Sequence, residues 1–163
     1  MINQLRRLLF KKPHSDPILS STIDEKTFIS SLINIKSWDL LSKIINEKPE
    51  LAKVFISVHQ HGKHVERLPI HEVCRKNPPL YLIQKLESAY PSSLIFEDES
   101  NGCVPLHFAC RHGASTEVIS FLLKISPHSI NIEDKYGCAP IIVARRSSCK
   151  HRDEIIDLFN CSA

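Results

Sequence analysis

Three arginines recur in step along this chain. Arg75, Arg111 and Arg146 each stand six residues after a proline, namely Pro69, Pro105 and Pro140. The residues that follow them are Lys76, His112 and Ser147. Guanidiniums held in register can fork onto carboxylates or phosphates, so the row is a candidate anion-binding ladder. A plainer role competes with it, because cations at the C-terminal end of a helix are favoured by the dipole alone. His71 and His107 share another matched position, two residues after Pro69 and Pro105. Acid–base catalysis by either would need a base or nucleophile at matching spacing, and none stands there. His59, His61 and His64 fall in one stretch and could ligate a metal in principle. A flexible loop is expected there, with no cysteine or acid pair beside it, so no metal site is expected.

The six cysteines are Cys74, Cys103, Cys110, Cys138, Cys149 and Cys161. They form no C-x-x-C, which removes zinc ribbons and thioredoxin-like redox sites. Cys74 and Cys110 occupy matched positions, as do Cys103 and Cys138, and they read as small core residues. Neighbouring helices pack about 8–10 Å apart, whereas a disulfide wants Cα atoms about 4.4–6.8 Å apart. Matched thiols in adjacent units are therefore expected to stay reduced. There is no G-x-x-x-x-G-K-[ST], no G-x-G-x-x-G and no H-E-x-x-H. No catalytic residue and no cofactor is expected, and a hydrolase built from dispersed Ser, His and Asp has no positive support.

These side chains need elements to position them. The prolines give the register, since Pro69, Pro105 and Pro140 lie 36 and 35 residues apart. A second set, Pro49, Pro91 and Pro127, closes each unit, and Pro69 to Pro91 spans the same 22 residues as Pro105 to Pro127. Counted back from the closing proline, Leu40 matches Leu82 and Val118, Leu41 matches Ile83 and Ile119, and Ile44 matches Leu86 and Leu122. Positions i, i+1 and i+4 lie on one helical face. Each opening proline suits the first turn of a short helix, where its missing N–H costs nothing. Each closing proline blocks continuation of a longer helix. The pattern predicts four helix pairs joined by extended connections. In the first pair the short helix is expected over about Thr27–Ile35, with Asp24 as N-cap and Trp38 opening the longer helix as a core residue. The last longer helix is expected over about Asp153–Asn160, two residues behind register. Arg145 replaces the cysteine of Cys74 and Cys110, as a capping unit permits. The connection holding the three histidines is six or seven residues longer than the others, as an exposed loop allows. Asp98–Gly102 and Asp134–Gly137 bracket tight turns.

The stretch Val104-Pro105-Leu106-His107-Phe108-Ala109 resembles the T-P-L-H-x-A core of the ankyrin family at five of six positions. Leu68-Pro69-Ile70-His71 is a relative of it, and Ala139-Pro140-Ile141-Ile142 a worn one. Gly113, Glu117-Val118-Ile119, Leu122-Leu123, Ile130-Asn131 and Asp134-Lys135-Tyr136-Gly137 are similar to the rest of that repeat. The likeness covers about residues 27–160. It departs at the motif threonine, which is Leu68, Val104 or Ala139 here, so no hydroxyl–imidazole contact can form. The resemblance implies an all-α solenoid of about four stacked helix pairs, with short hairpin turns between repeats at about 27–60, 67–98, 103–134 and 138–161. It implies that His71 and His107 bond backbone in the next unit. It places Arg75, Lys76, Arg111, His112 and Arg146 at exposed ends of the short helices, on a concave side. Glu99, Ser100, Lys135 and Tyr136 fall on the turns beside them. All nine are candidate partner-binding residues.

With 163 residues, the chain has one domain's worth of length and can bury roughly two-thirds of its unfolded surface. Apolar content of 42% and charged content of 24% are ordinary, and a net charge of +3 does not itself call for nucleic acid. Residues 1–23 read as a basic, disordered leader and 24–163 as the repeat domain. An organelle presequence over 1–21, or a membrane-surface contact, is the alternative for the leader. No stretch reaches the ~18 apolar residues of a membrane span. The default location is cytoplasmic, with the nucleus as an alternative. The function expected is a non-enzymatic scaffold or adaptor that grips another protein, through an acidic or phosphorylated segment. The rival is nucleic-acid or anionic-membrane binding through leader and ladder, which predicts steep salt dependence. Sparse aromatics and the acidic run Glu97-Asp98-Glu99 make nucleic acid the less favoured partner.

Overall fold

A proline that opens a helix and an apolar pair that closes on the next unit set the architecture. The computed structural model describes residues 24–60 and 62–162. Among these, eight α-helices form four antiparallel pairs. They are α1 (Glu25–Asn34) with α2 (Trp38–Glu47), α3 (Pro69–Arg75) with α4 (Leu80–Ala89), α5 (Pro105–His112) with α6 (Thr116–Ile125), and α7 (Pro140–Arg146) with α8 (Arg152–Ser162). The short helices pack on one another in one layer, α3 on α5 and α5 on α7. The longer helices α2, α4, α6 and α8 do the same in a second layer. The fold is thus an all-α, ankyrin-like repeat solenoid with one small sheet at its first connection.

The matched positions are physically equivalent. Leu41, Ile83 and Ile119 are all fully buried, and so are Leu82 and Val118. Ile44, Leu86 and Leu122 are buried beside them, while Leu40 in the first pair is half-buried. Trp38 is also half-buried and packs against the core. The layers meet along one continuous apolar interior from Phe28 to Phe159. Outside it, Tyr81 donates to Asp39 at 2.6 Å and Lys85 to Asn46 at 3.0 Å, tying α4 to α2.

Helix ends follow local chemistry. Ser115 caps α6, its hydroxyl accepting from the Val118 N–H at 3.4 Å. Gly113 ends α5 with φ +65°, and a Cβ there would lie 2.5 Å from the Cβ of Cys149. Glycine is required both by the left-handed backbone and by the thiol side chain packed against it.

Four expectations need correction. The first short helix starts earlier, at Glu25, and Asp24 occupies the cap position without a side-chain hydrogen bond to the helix. The chain after Pro49, Pro91 and Pro127 is not extended at once. Each proline opens a five-residue 3-10 turn: Pro49–Lys53, Pro91–Ile95 and Pro127–Asn131. Their fixed φ suits a tight turn as well as it blocks the α-helix. The last helix begins at Arg152, one residue behind register rather than two, and runs to Ser162. The histidine-bearing connection is no loop. It is an antiparallel hairpin, β1 (Ile56–Gln60) with β2 (Lys63–Arg67), in the register Ile56↔Arg67, Val58↔Val65 and His59↔His64. Alternation explains it, because Ile56, Val58, Val65 and Arg67 turn inward while Ser57, His59, His64 and Glu66 turn out. The leader over residues 1–23 and His61 lie outside the described residues.

Leu122→Ala removes a side chain from the shared interior and should cost about 2–5 kcal/mol. Urea denaturation of the variant beside the parent measures it, and an unshifted midpoint would take Leu122 out of the core.

Candidate functional site

The ends of α3, α5 and α7 and the turns that precede α5 and α7 form one continuous edge. Three kinds of contact hold it. The first is a tight turn closed by an aspartate. Asp98 accepts the Cys103 N–H at 2.8 Å, and Asp134 accepts the Tyr136 and Cys138 N–H groups at 2.9 and 3.0 Å. Gly102 and Gly137 supply the positive φ these turns need. The second is turn-to-turn stacking, in which the Lys135 N–H donates to the Asn101 carbonyl at 2.8 Å. The Lys135 ammonium donates to the carbonyls of Glu99 and Ser100.

The third is the imidazole bridge. His71 Nε2 lies 2.8 Å from the Phe96 carbonyl, and His107 Nε2 lies 2.9 Å from the Cys138 carbonyl. A carbonyl only accepts, so each ring carries its proton on Nε2 and donates it to the next unit. Nδ1 of His107 in turn accepts the Val104 N–H at 3.2 Å, doing locally what a threonine at that position would share. Burial holds His71 down to about 4 and also lowers His107. Both therefore act as neutral donors to backbone carbonyls. Burial likewise keeps the thiols of Cys74, Cys103 and Cys110 protonated, with Cys103 pushed up to about 11. All six cysteines are free.

Along this edge the three ladder arginines differ. Arg75 donates to Glu72 at 2.9 Å. Arg111 lies 3.7 Å from Asp134. Arg146 donates to the Cys138 thiol at 3.0 Å and meets no carboxylate among the described residues. Lys76 is half-buried beside Arg75, whereas His112, Glu99, Lys135 and Tyr136 are exposed and Ser100 is half-buried. Ser100 donates to the Asp98 carboxylate. His112 keeps an open edge, yet surrounding chain desolvates it and Arg75, Arg111, Arg67 and Lys76 repel its proton, pushing it down to about 4. The edge is thus positive because of its arginines and lysines, with His112 neutral above about pH 5.

Sequence reasoning missed the charged network under the edge. Arg67 is 1% exposed and lies 3.6 Å from both Glu72 and Asp98, with its guanidinium 4.7 Å over the Phe108 ring. The signal was available. Arg67 stands where Cys103 and Cys138 stand, and Glu72 where Phe108 and Val143 stand, so two opposite charges replace two apolar groups in one unit. On the hairpin, His59 and His64 meet edge to face at 5.0 Å, and no group of three or more metal-binding side chains forms among the described residues. No helix among those residues is long and apolar enough to cross a membrane.

Residues 101–135 match the family model for the ankyrin repeat. The matched segment holds the turn at Asn101, α5, α6 and the turn to Lys135, which is the unit with the fullest motif.

Arg67→Ala would leave Asp98 buried without its counter-charge, and Glu72 with Arg75 alone among the described residues, and should cost about 3–5 kcal/mol in a urea melt. His71 gives a pH signature. Its pKa is near 4 folded against 6.5 for the free side chain, so the unfolded chain takes the proton first as pH falls. The stability it contributes is complete above 6.5 and is lost as pH drops toward about 4. His71→Gln should flatten the loss between pH 7 and 5, and an unchanged slope would assign that loss to other groups.

Proposed function

We propose that this chain, which carries an ankyrin repeat at residues 101–135, is a non-enzymatic scaffold or adaptor that binds another protein through the edge formed by α3, α5, α7 and their turns. An ankyrin repeat supports a protein–protein interaction module. The observation that carries the finer reading is the cationic row itself: Arg75, Arg111 and Arg146 end successive short helices, with Lys76 and His112 beside them. The partner segment that suits it is acidic or phosphorylated, because paired guanidinium donors match carboxylate and phosphate oxygens. Glu99, Ser100, Lys135 and Tyr136 on the adjoining turns frame the same surface and supply shape and polarity rather than net charge.

Short, rigid helices suit this task. The imidazole bridges and the aspartate turns hold the segments that lead into α5 and α7, which supports donors positioned before a partner arrives and less ordering on binding. The contacts would be charge-assisted and rim-exposed, which favours fast, salt-sensitive association over great affinity.

Affinity capture from native cells, with the parent chain beside an Arg75→Ala/Arg111→Ala/Arg146→Ala variant, tests the reading. The parent should retain a specific protein that the variant loses by tenfold or more, with the melt of the variant confirming that it is folded. Equal retention by both would take the ladder out of the site. A salt series on labelled RNA, DNA and anionic vesicles separates the nucleic-acid and membrane rival, which requires retention there.

A further inference from the structure

The spaces between neighbouring short helices are not alike. Three residues after the opening proline stand Glu72, Phe108 and Val143 in turn. Between α3 and α5 the Phe108 ring fills the interval, with the Arg67 guanidinium laid over it and the Glu72 and Asp98 carboxylates closing around that charge. Between α5 and α7 the residues one repeat on are Val143 for Phe108 and Cys103 for Arg67, which are both smaller. An open cleft of about 240 Å³ lies on this side, lined by Arg111, Asp134, Tyr136, Cys138, Val143, Arg146 and Ser147.

The charge inside this cleft is specific. Asp134 lies 3.7 Å from Arg111 and offsets it, while Arg146 spends one donor on a thiol and keeps the rest of its fork. Two guanidiniums against one carboxylate leave a surplus of one positive charge. Asp134 cannot withdraw, because its other oxygen holds the Tyr136 and Cys138 amides that form the turn. A monoanion therefore balances the cleft. A phosphate monoester, at about −1.5 to −2, would overfill it and press against the fixed Asp134 carboxylate. Val143 and the Tyr136 ring, which is 77% exposed, offer apolar contact to the methylenes of an acidic side chain.

We propose that this cleft receives one Glu or Asp side chain from the acidic segment of a protein partner, with Arg146 as the principal donor and Tyr136 as its cover, and that it discriminates against phosphate. The inference rests on the interaction-module reading above and narrows it from an acidic or phosphorylated segment to a carboxylate.

The test passes the full chain over three peptide libraries with random flanks, whose central residue is fixed as Glu, phosphoserine or Gln. The Glu library should be retained about tenfold or more over the Gln library, the scale of a charge-assisted hydrogen bond. It should also exceed the phosphoserine library. Arg146→Ala should abolish the Glu preference, and Tyr136→Ala should weaken it. Amide NMR shifts on adding a retained Glu peptide should centre on Tyr136, Val143 and Ser147. Phosphoserine retained as well as Glu, a Glu preference that survives Arg146→Ala, or shifts confined to other units would each overturn the assignment while leaving the interaction module intact. Retention of no peptide from any library would overturn both.

Discussion

Among the described residues, no helix pair can bury its own apolar face. α4 is amphipathic, with Leu82, Ile83 and Leu86 buried, and it packs on α2 on one side and α6 on the other. Every other feature follows from that constraint. It forces the pairs to stack, it fixes their phase so that Leu41, Ile83 and Ile119 fall in one column, and it makes stability a sum of neighbour contacts rather than a property of any one unit. The same stacking sets the ends of α3, α5 and α7 along one edge, so the row of arginines is a by-product of burial before it is a surface for anything else.

The imidazole bridges refine this arrangement. Hydrophobic contact is non-directional and would tolerate a small slip between units. A buried N–H aimed at one carbonyl does not, because a slip leaves both groups unpaired. His71 and His107 thereby couple the helix of one unit to the backbone that leads into the next. The last unit has Ile142 at the equivalent position and lacks this device. There Cys149, packed against Gly113, and helix α8, lying on α6, close the stack instead.

Polarity is distributed unevenly along the edge. Of the intervals α3–α5 and α5–α7, the first is filled and balanced in charge, with Arg67 and Arg75 set against Glu72 and Asp98. The second is open, and its charges are only partly matched. Repeat proteins built of similar units can differ in this way because the stacking face and the edge are separate surfaces. A substitution such as Phe108 against Val143 changes the edge while leaving the columns of Leu, Ile and Val in place.

The sequence by itself determined the repeat and its register. Proline spacing and recurring apolar positions are local facts, and helical geometry converts them directly into faces that must meet. The resemblance of the motif implied the roles of His71 and His107, and the matched positions of Cys74 with Cys110 and of Cys103 with Cys138 argued against disulfides between them. The sequence did not determine how each arginine is used. Arg75, Arg111 and Arg146 are identical in sequence register, yet among the described residues Arg75 finds Glu72, Arg111 finds Asp134 beside the Cys103 thiol, and Arg146 finds the Cys138 thiol alone. Glu72 lies one turn back on the same helix, whereas Asp134 and Cys138 lie outside the helices that carry Arg111 and Arg146, and only the packed structure sets those distances. The hairpin over Ile56–Arg67 escaped for a related reason: its strands are five residues each, and alternation that short carries little weight until the interior it faces exists. The cleft beside Arg146 lay furthest from reach, because a cavity is a difference in volume between neighbours and no single residue encodes it.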